Sequence, residues 1–87
     1  MQLNIDQRKK LKIQAHSLKP VVSIGGKGLT DAVKAELDIA LTSHELIKVK
    51  IAADRDERKV IYEKIAKDLN AAGVQLIGQI GVFFRKL

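Results

Sequence analysis

The stretch Val21-Val22-Ser23-Ile24-Gly25-Gly26-Lys27-Gly28-Leu29-Thr30-Asp31 narrows most sharply what this chain can become. A β-branched run leads into a glycine-rich loop, and the loop opens onto a helical pattern. Three glycines in four positions permit positive φ and let another surface approach the backbone with no Cβ in the way. Thr30 stands where a helix N-cap belongs, so the first unpaired N–H groups of that helix face the same space as the loop. Those amides, at the positive end of a helix dipole, favour an anion such as phosphate. Lys27 adds a mobile positive charge at the loop tip. The stretch reads as a backbone-phosphate contact loop.

The rest of the chain repeats the alternation of helix and strand. Asn4, with Gln7 three residues on, predicts a capped first helix whose apolar stripe is Leu11, Ala15 and Leu18. Arg8, Lys9 and Lys12 fall mostly away from that stripe. Pro20 ends the helix, and Val21–Ile24 form a short buried strand. Val33, Leu37 and Leu41 mark a second helix over 30–43, and Leu46–Ile51 is the clearest strand in the chain. There Ile47, Val49 and Ile51 share one face, and Leu46, Lys48 and Lys50 the other. A third helix is expected over 55–72, opened by an Asp54/Glu57 capping box and closed by Gly73 as a left-handed C-cap. Val74–Ile77 and Ile80–Arg85 form a hairpin turned at Gly78-Gln79, a pair suited to a type II′ turn. The order α-β-α-β-α-β-β predicts an α/β (α+β) two-layer sandwich with a four-stranded mixed sheet, residues 1–87 forming a single domain. Lysines on alternate positions of the central strand imply that helices cover one side of the sheet.

Charge is placed unevenly. Residues 1–28 hold six Lys/Arg against one acid, whereas residues 29–87 hold ten against nine, within a net charge of +6. Nearly all the excess lies in the first helix and the glycine loop, which suits a polyanionic partner. The chain has no cysteine, so neither disulfides nor thiolate metal sites are available, as fits a reducing cytosol. No apolar leader or bilayer-length run is present, so the expected location is the cytoplasm, away from membranes.

Catalysis finds no constellation. His16 and His44 each fall near a helix end, where a cation suits the dipole, and neither has a local partner for a triad or a metal site. Asp54, Asp56 and Glu57 precede the third helix, where acids serve capping. The glycine loop is not a P-loop, because no Gly-Lys-Ser/Thr closes it, and it lacks the third glycine of a dinucleotide fingerprint. No cofactor, metal or small-molecule substrate is expected. The aromatic residues are Tyr62, Phe83 and Phe84 alone, too few for a base-stacking sheet platform. Recognition is therefore expected to rest on phosphates and shape, with a marked salt dependence.

Three blocks, in order, resemble a known family. Leu11 through Thr30, His44-Glu45-Leu46-Ile47-Lys48-Val49-Lys50, and Gln75-Leu76-Ile77-Gly78 followed by Phe83-Phe84-Arg85 are similar to the CRM domain (chloroplast RNA splicing and ribosome maturation), in its bacterial single-domain, YhbY-like form. The resemblance implies a fold like the C-terminal domain of translation initiation factor three, with sheet order 1-2-4-3 and the fourth strand antiparallel. It also implies RNA binding at the Gly-x-x-Gly loop (Gly25, Gly26, Lys27 and Gly28) and neighbouring basic residues, and association with precursors of the large ribosomal subunit. The sequence departs from the pattern in two places. It ends at Leu87, where relatives often continue into a basic tail, and Phe84 stands where an exposed-edge tyrosine is common.

The expected function is thus a non-catalytic RNA-binding protein acting on rRNA in large-subunit assembly. The loop and the start of the second helix would hold phosphates, with Lys27 at the tip and Lys9, Lys10, Lys12 and Lys19 extending the basic track. Lys48 and Lys50 are secondary candidates, since solvated lysines on an open face need no function. The alternatives are a double-stranded DNA or chromatin-type binder, and a protein-docking module on the ribosome whose charge only steers encounter.

Overall fold

Three polar side chains start the three helices. Asn4, Thr30 and Asp54 cap α1 (Ile5–Ala15), α2 (Asp31–His44) and α3 (Arg55–Asp68), accepting from the amides of Gln7, Val33 and Glu57 at 2.8, 3.2 and 2.9 Å. In α1 the Gln7 side chain returns the bond to Asn4 N–H at 3.0 Å, completing a capping box. In α3 the Asp54 half of the expected box forms, and the Glu57 half does not. The computed structural model describes residues 2–87.

The strands are β1 (Pro20–Ile24), β2 (Leu46–Ile51), β3 (Ala72–Ile77) and β4 (Ile80–Phe84), in sheet order β1-β2-β4-β3. β1 and β2 run parallel, while β4 runs antiparallel to both β2 and β3. The α+β class, the element order and the mixed sheet are those the sequence implies. Ile47, Val49 and Ile51 of β2 are fully buried beneath α2 and α3, packed with Leu37, Leu41, Ile65 and Phe83. Burying each such side chain contributes about 1.5–3 kcal/mol.

The layering differs from expectation in one respect, because helices lie on both faces. α1 packs Leu11 and Ala15 against Val74 and Val82, with Leu46 and Phe84 at the margin of that second cluster. These four strand residues form an apolar patch that water would otherwise meet, and α1 covers it. Lys48 and Lys50 lie on that same face, but their apolar neighbours decide its cover. Arg8 belongs to the same arrangement and not to a free basic track. Its guanidinium donates to the carbonyls of Gly73 and Val74, where the β3–β4 register slips.

α3 is also shorter than expected. It stops at Asp68, and the left-handed residue after it is Asn70 (φ 52°), which tolerates that conformation better than most side chains. Ala72 and Gly73 fall in β3 instead. Gly73 is there for space: a Cβ at this position would sit 2.7 Å from Cζ of Tyr62. Tyr62 cannot retreat easily, because its ring packs on Phe83 with centroids 5.1 Å apart. At Gly78-Gln79 only Gly78 has positive φ (55°), as a type II′ turn requires.

Arg85 closes the fold. Its guanidinium donates to Asp38 Oδ1 (2.8 Å), Thr42 Oγ1 (2.9 Å) and the carbonyls of Asp38 and Leu69, tying the end of β4 to α2 and to the end of α3. Glu45 alone connects α2 to β2, and this one-residue link holds it at φ 61°, ψ −49°, a strained conformation for a residue with a Cβ.

Two outcomes follow for stability. Gly73→Ala lowers unfolding free energy by about 1–3 kcal/mol through overpacking, and the loss shrinks in a Tyr62→Leu background, measured by denaturant titration as a double-mutant cycle. Burial raises the Tyr62 phenol above its ordinary value, a shift that the Arg8 charge partly opposes. With the folded value above the unfolded one, its stabilisation is complete below about pH 10 and is lost as pH rises through the folded value. Tyr62→Phe should flatten that alkaline decline in thermal melts.

Candidate nucleic-acid interface

β1 delivers the glycine loop to one end of the sheet. Ile24, almost fully buried, accepts from Ala52 N–H at 2.9 Å and fixes the strand's end beside the end of β2. The chain then turns at once. Gly28 N–H donates to the Gly25 carbonyl (3.0 Å), and Thr30 N–H donates to the Gly28 carbonyl (3.1 Å), leading directly into the Thr30 cap. Lys27 stands exposed at the tip.

The three glycines have different reasons to be glycine. Gly28 alone adopts positive φ (70°), so the turn itself requires it. Gly25 and Gly26 have ordinary backbone conformations, and a Cβ at either would meet nothing within 4 Å. The fold makes no demand for glycine at these two positions. Among the described residues, neither Gly26 N–H nor Lys27 N–H donates to an acceptor in the chain. Both amides are available to a ligand that approaches the backbone closely. Asp31, the first residue of α2, already complements the helix dipole. An anion is therefore better placed over Gly26 and Lys27 than on the helix axis.

Strand register sets the lysines of β2 in line with this loop. Lys50 lies beside Ser23 of β1 and opposite Ile80 of β4, and Lys48 lies opposite Val82, on the face that carries α1. Pro20 pairs with Lys48, which brings Lys19 next to it, and the two lysines border one groove. Lys19, Lys48, Lys50 and the loop thus follow β1 and β2 from one end of the sheet to the other. At a rise of roughly 3.3 Å per residue, the five steps from Pro20 to Gly25 span about 16 Å. This alignment was hidden in the sequence, since it depends on a parallel register between strands 26 residues apart, counted from Pro20 to Leu46.

The lysines of α1 do not join that line as a group. Lys9 is on the outward side of the helix, away from Leu11 and Ala15, with exposed Ile5 and Ile13 one turn before and after it. Lys10 borders a separate hollow with Leu3, Leu11 and Phe84. Lys12 is half-buried. The three aromatic rings are also withdrawn from any stacking role, Phe83 being fully buried, Tyr62 packed on it, and Phe84 against α1. Among the described residues, no three His, Cys, Asp or Glu side chains come close enough to hold a metal ion, and no helix is long and apolar enough to cross a membrane.

The fold and this surface define a small, basic mixed-sheet domain with an open glycine-loop tip. The chain belongs to the CRS1/YhbY (CRM) domain family, whose model matches residues 3–85. It is similar to an RNA-binding protein of Haemophilus influenzae, 50% identical over 84 residues that cover 95% of this chain and 85% of the relative. A Pseudomonas aeruginosa protein, named as a candidate RNA-binding protein, is 42% identical over 87 residues, covering 99% of this chain and 84% of that one. The solution structure of a hypothetical Staphylococcus aureus protein, proposed to bind RNA, superimposes with a TM-score of 0.88 at 29% identity, over 99% of this chain and 91% of that one.

The glycine assignments separate fold from function. Gly26→Ala should leave unfolding free energy within about 0.5 kcal/mol of the parent. Gly28→Ala, forced to positive φ, should cost about 1 kcal/mol or more in the same titration.

Proposed function

We propose that this chain is a non-catalytic, cytoplasmic RNA-binding protein that holds the sugar-phosphate backbone of ribosomal RNA in large-subunit precursors. The observation that carries the reading is the pair Gly25 and Gly26. Neither the backbone conformation nor a neighbouring atom asks for glycine there, so the unhindered approach they allow serves something outside the chain. Their setting supports a phosphate: two unused amides, the Lys27 ammonium, and a line of cations leading away along the sheet. The family and the names of its members support RNA as the polyanion. The assignment to ribosomal RNA rests on the resemblance to ribosome-maturation domains.

Within this reading Lys27, Lys50, Lys48 and Lys19 neutralise phosphates, and the loop amides fix the position of one of them. The lysines of α1 contribute a more diffuse attraction, because they project in several directions. Four neutralised phosphates give a slope of log K against log salt of about −2.8 to −3.6, at roughly 0.7–0.9 per contact.

The test is binding of structured rRNA fragments, and of duplex DNA of equal length, across a salt series. The expected result is tighter RNA binding, with a loss of well over tenfold on joint replacement of Gly26 and Lys27 by Asp and an unchanged melting temperature. Equal affinity in that variant overturns the loop assignment. Equal affinity for DNA favours a chromatin-type binder, and failure to bind either polymer at low salt favours a protein-docking module.

A further inference from the structure

The groove bordered by Lys19 and Lys48 has a composition that phosphate binding alone does not explain. It encloses about 430 Å3, within the range of small-molecule sites. Its lining is largely aliphatic, from Leu18, Val21, Leu46 and Ile47, and Val21 keeps 50% of its surface exposed. Its polar lining residues are Gln14 from α1 and His44 from the last turn of α2, together with the two lysines. An apolar hollow bordered by two cations fits a ligand that is itself a flat, weakly polar ring carried on an anionic chain.

We infer that this groove takes one unpaired nucleobase of the bound RNA, flipped from its stack, while Lys19 and Lys48 at its border hold the adjoining phosphates. The inference rests on the RNA-binding reading above and adds to it a substrate class: RNA with a bulged or single-stranded nucleotide a short distance from the phosphate seated on the glycine loop. The base lies against Leu18 and Val21, with the His44 imidazole as the one ring available to stack on it. The Gln14 amide offers an acceptor and two donors to the base edge. A base already unpaired costs least to place there, so selectivity falls on RNA whose secondary structure leaves one free. The groove also provides what the three aromatic side chains, all committed to packing, cannot. Sheet geometry fixes its spacing from the loop at about 16 Å, with Lys50 between them.

The test compares two RNA hairpins of equal length and charge, one fully paired and one with a single-nucleotide bulge in mid-stem, at one salt concentration. The parent protein is expected to bind the bulged hairpin at least fivefold more tightly. The double variant Gln14→Ala/His44→Ala alters exposed side chains and removes no lysine. It should bind the paired hairpin as the parent does, with the same salt slope, and lose the preference for the bulge. Lys27→Asp should weaken both hairpins together and keep their ratio. If the parent binds both hairpins equally, or the double variant keeps the full preference, the groove does not take a base and the inference is overturned, with RNA binding through the loop intact. If neither hairpin binds at low salt, RNA recognition itself has failed, and an apolar side chain of a protein partner becomes the occupant to seek.

Discussion

The structure depends on a division of β2 into two rows. Ile47, Val49 and Ile51 vanish beneath α2 and α3, while Leu46, Lys48 and Lys50 look the other way. Because side chains alternate along a strand, a slip of one residue would bury two lysines and expose three fully buried residues, so register is strongly specified. β2 is an inner strand, paired with β1 on one side and β4 on the other. Its register therefore places Ser23 and the glycine loop on one flank, and Val82 and Ile80 on the other. The burial that stabilises the sheet also arranges the surface assigned to RNA.

The second face shows how little cover such a sheet needs. α1 shields Leu46, Val74, Val82 and Phe84, leaving Lys48 half-buried opposite Val82 and Lys50 exposed. Full cover would have buried Lys48 and Lys50 at the cost of desolvating two charges, and no cover would have exposed an apolar patch. Arg8 and Arg85 anchor the two arrangements from opposite faces. Arg8 binds β3 carbonyls under α1, and Arg85 binds α2 and the end of α3. Both count toward the net charge, yet both spend their donors inside the molecule. Charge totals by segment overstate the free basic surface for that reason.

Much of this was legible in the residues. Caps at Asn4, Thr30 and Asp54, the alternation in β2 and the Gly78-Gln79 turn are local features, and all of them formed. The sheet order came with the family resemblance. What stayed hidden is tertiary. The place of α1 depends on apolar residues from three strands meeting on one face. In the sequence Gly73 resembles a helix stop, whereas its glycine makes room for Tyr62. At the site, the loop could be read from its glycines, but the alignment of Lys19, Lys48 and Lys50 with it requires the parallel register of β1 and β2.

The proposed RNA surface is one continuous strip, from the glycine loop along β1 and β2 on the α1 side of the sheet. Backbone amide chemical-shift mapping of the labelled protein, titrated with a structured rRNA fragment, tests it most directly. The largest shifts are expected at Gly25–Gly28, Ser23, Lys48 and Lys50, with little change along the solvent sides of α2 and α3. Shifts concentrated on α2 and α3, with the loop unmoved, would contradict it.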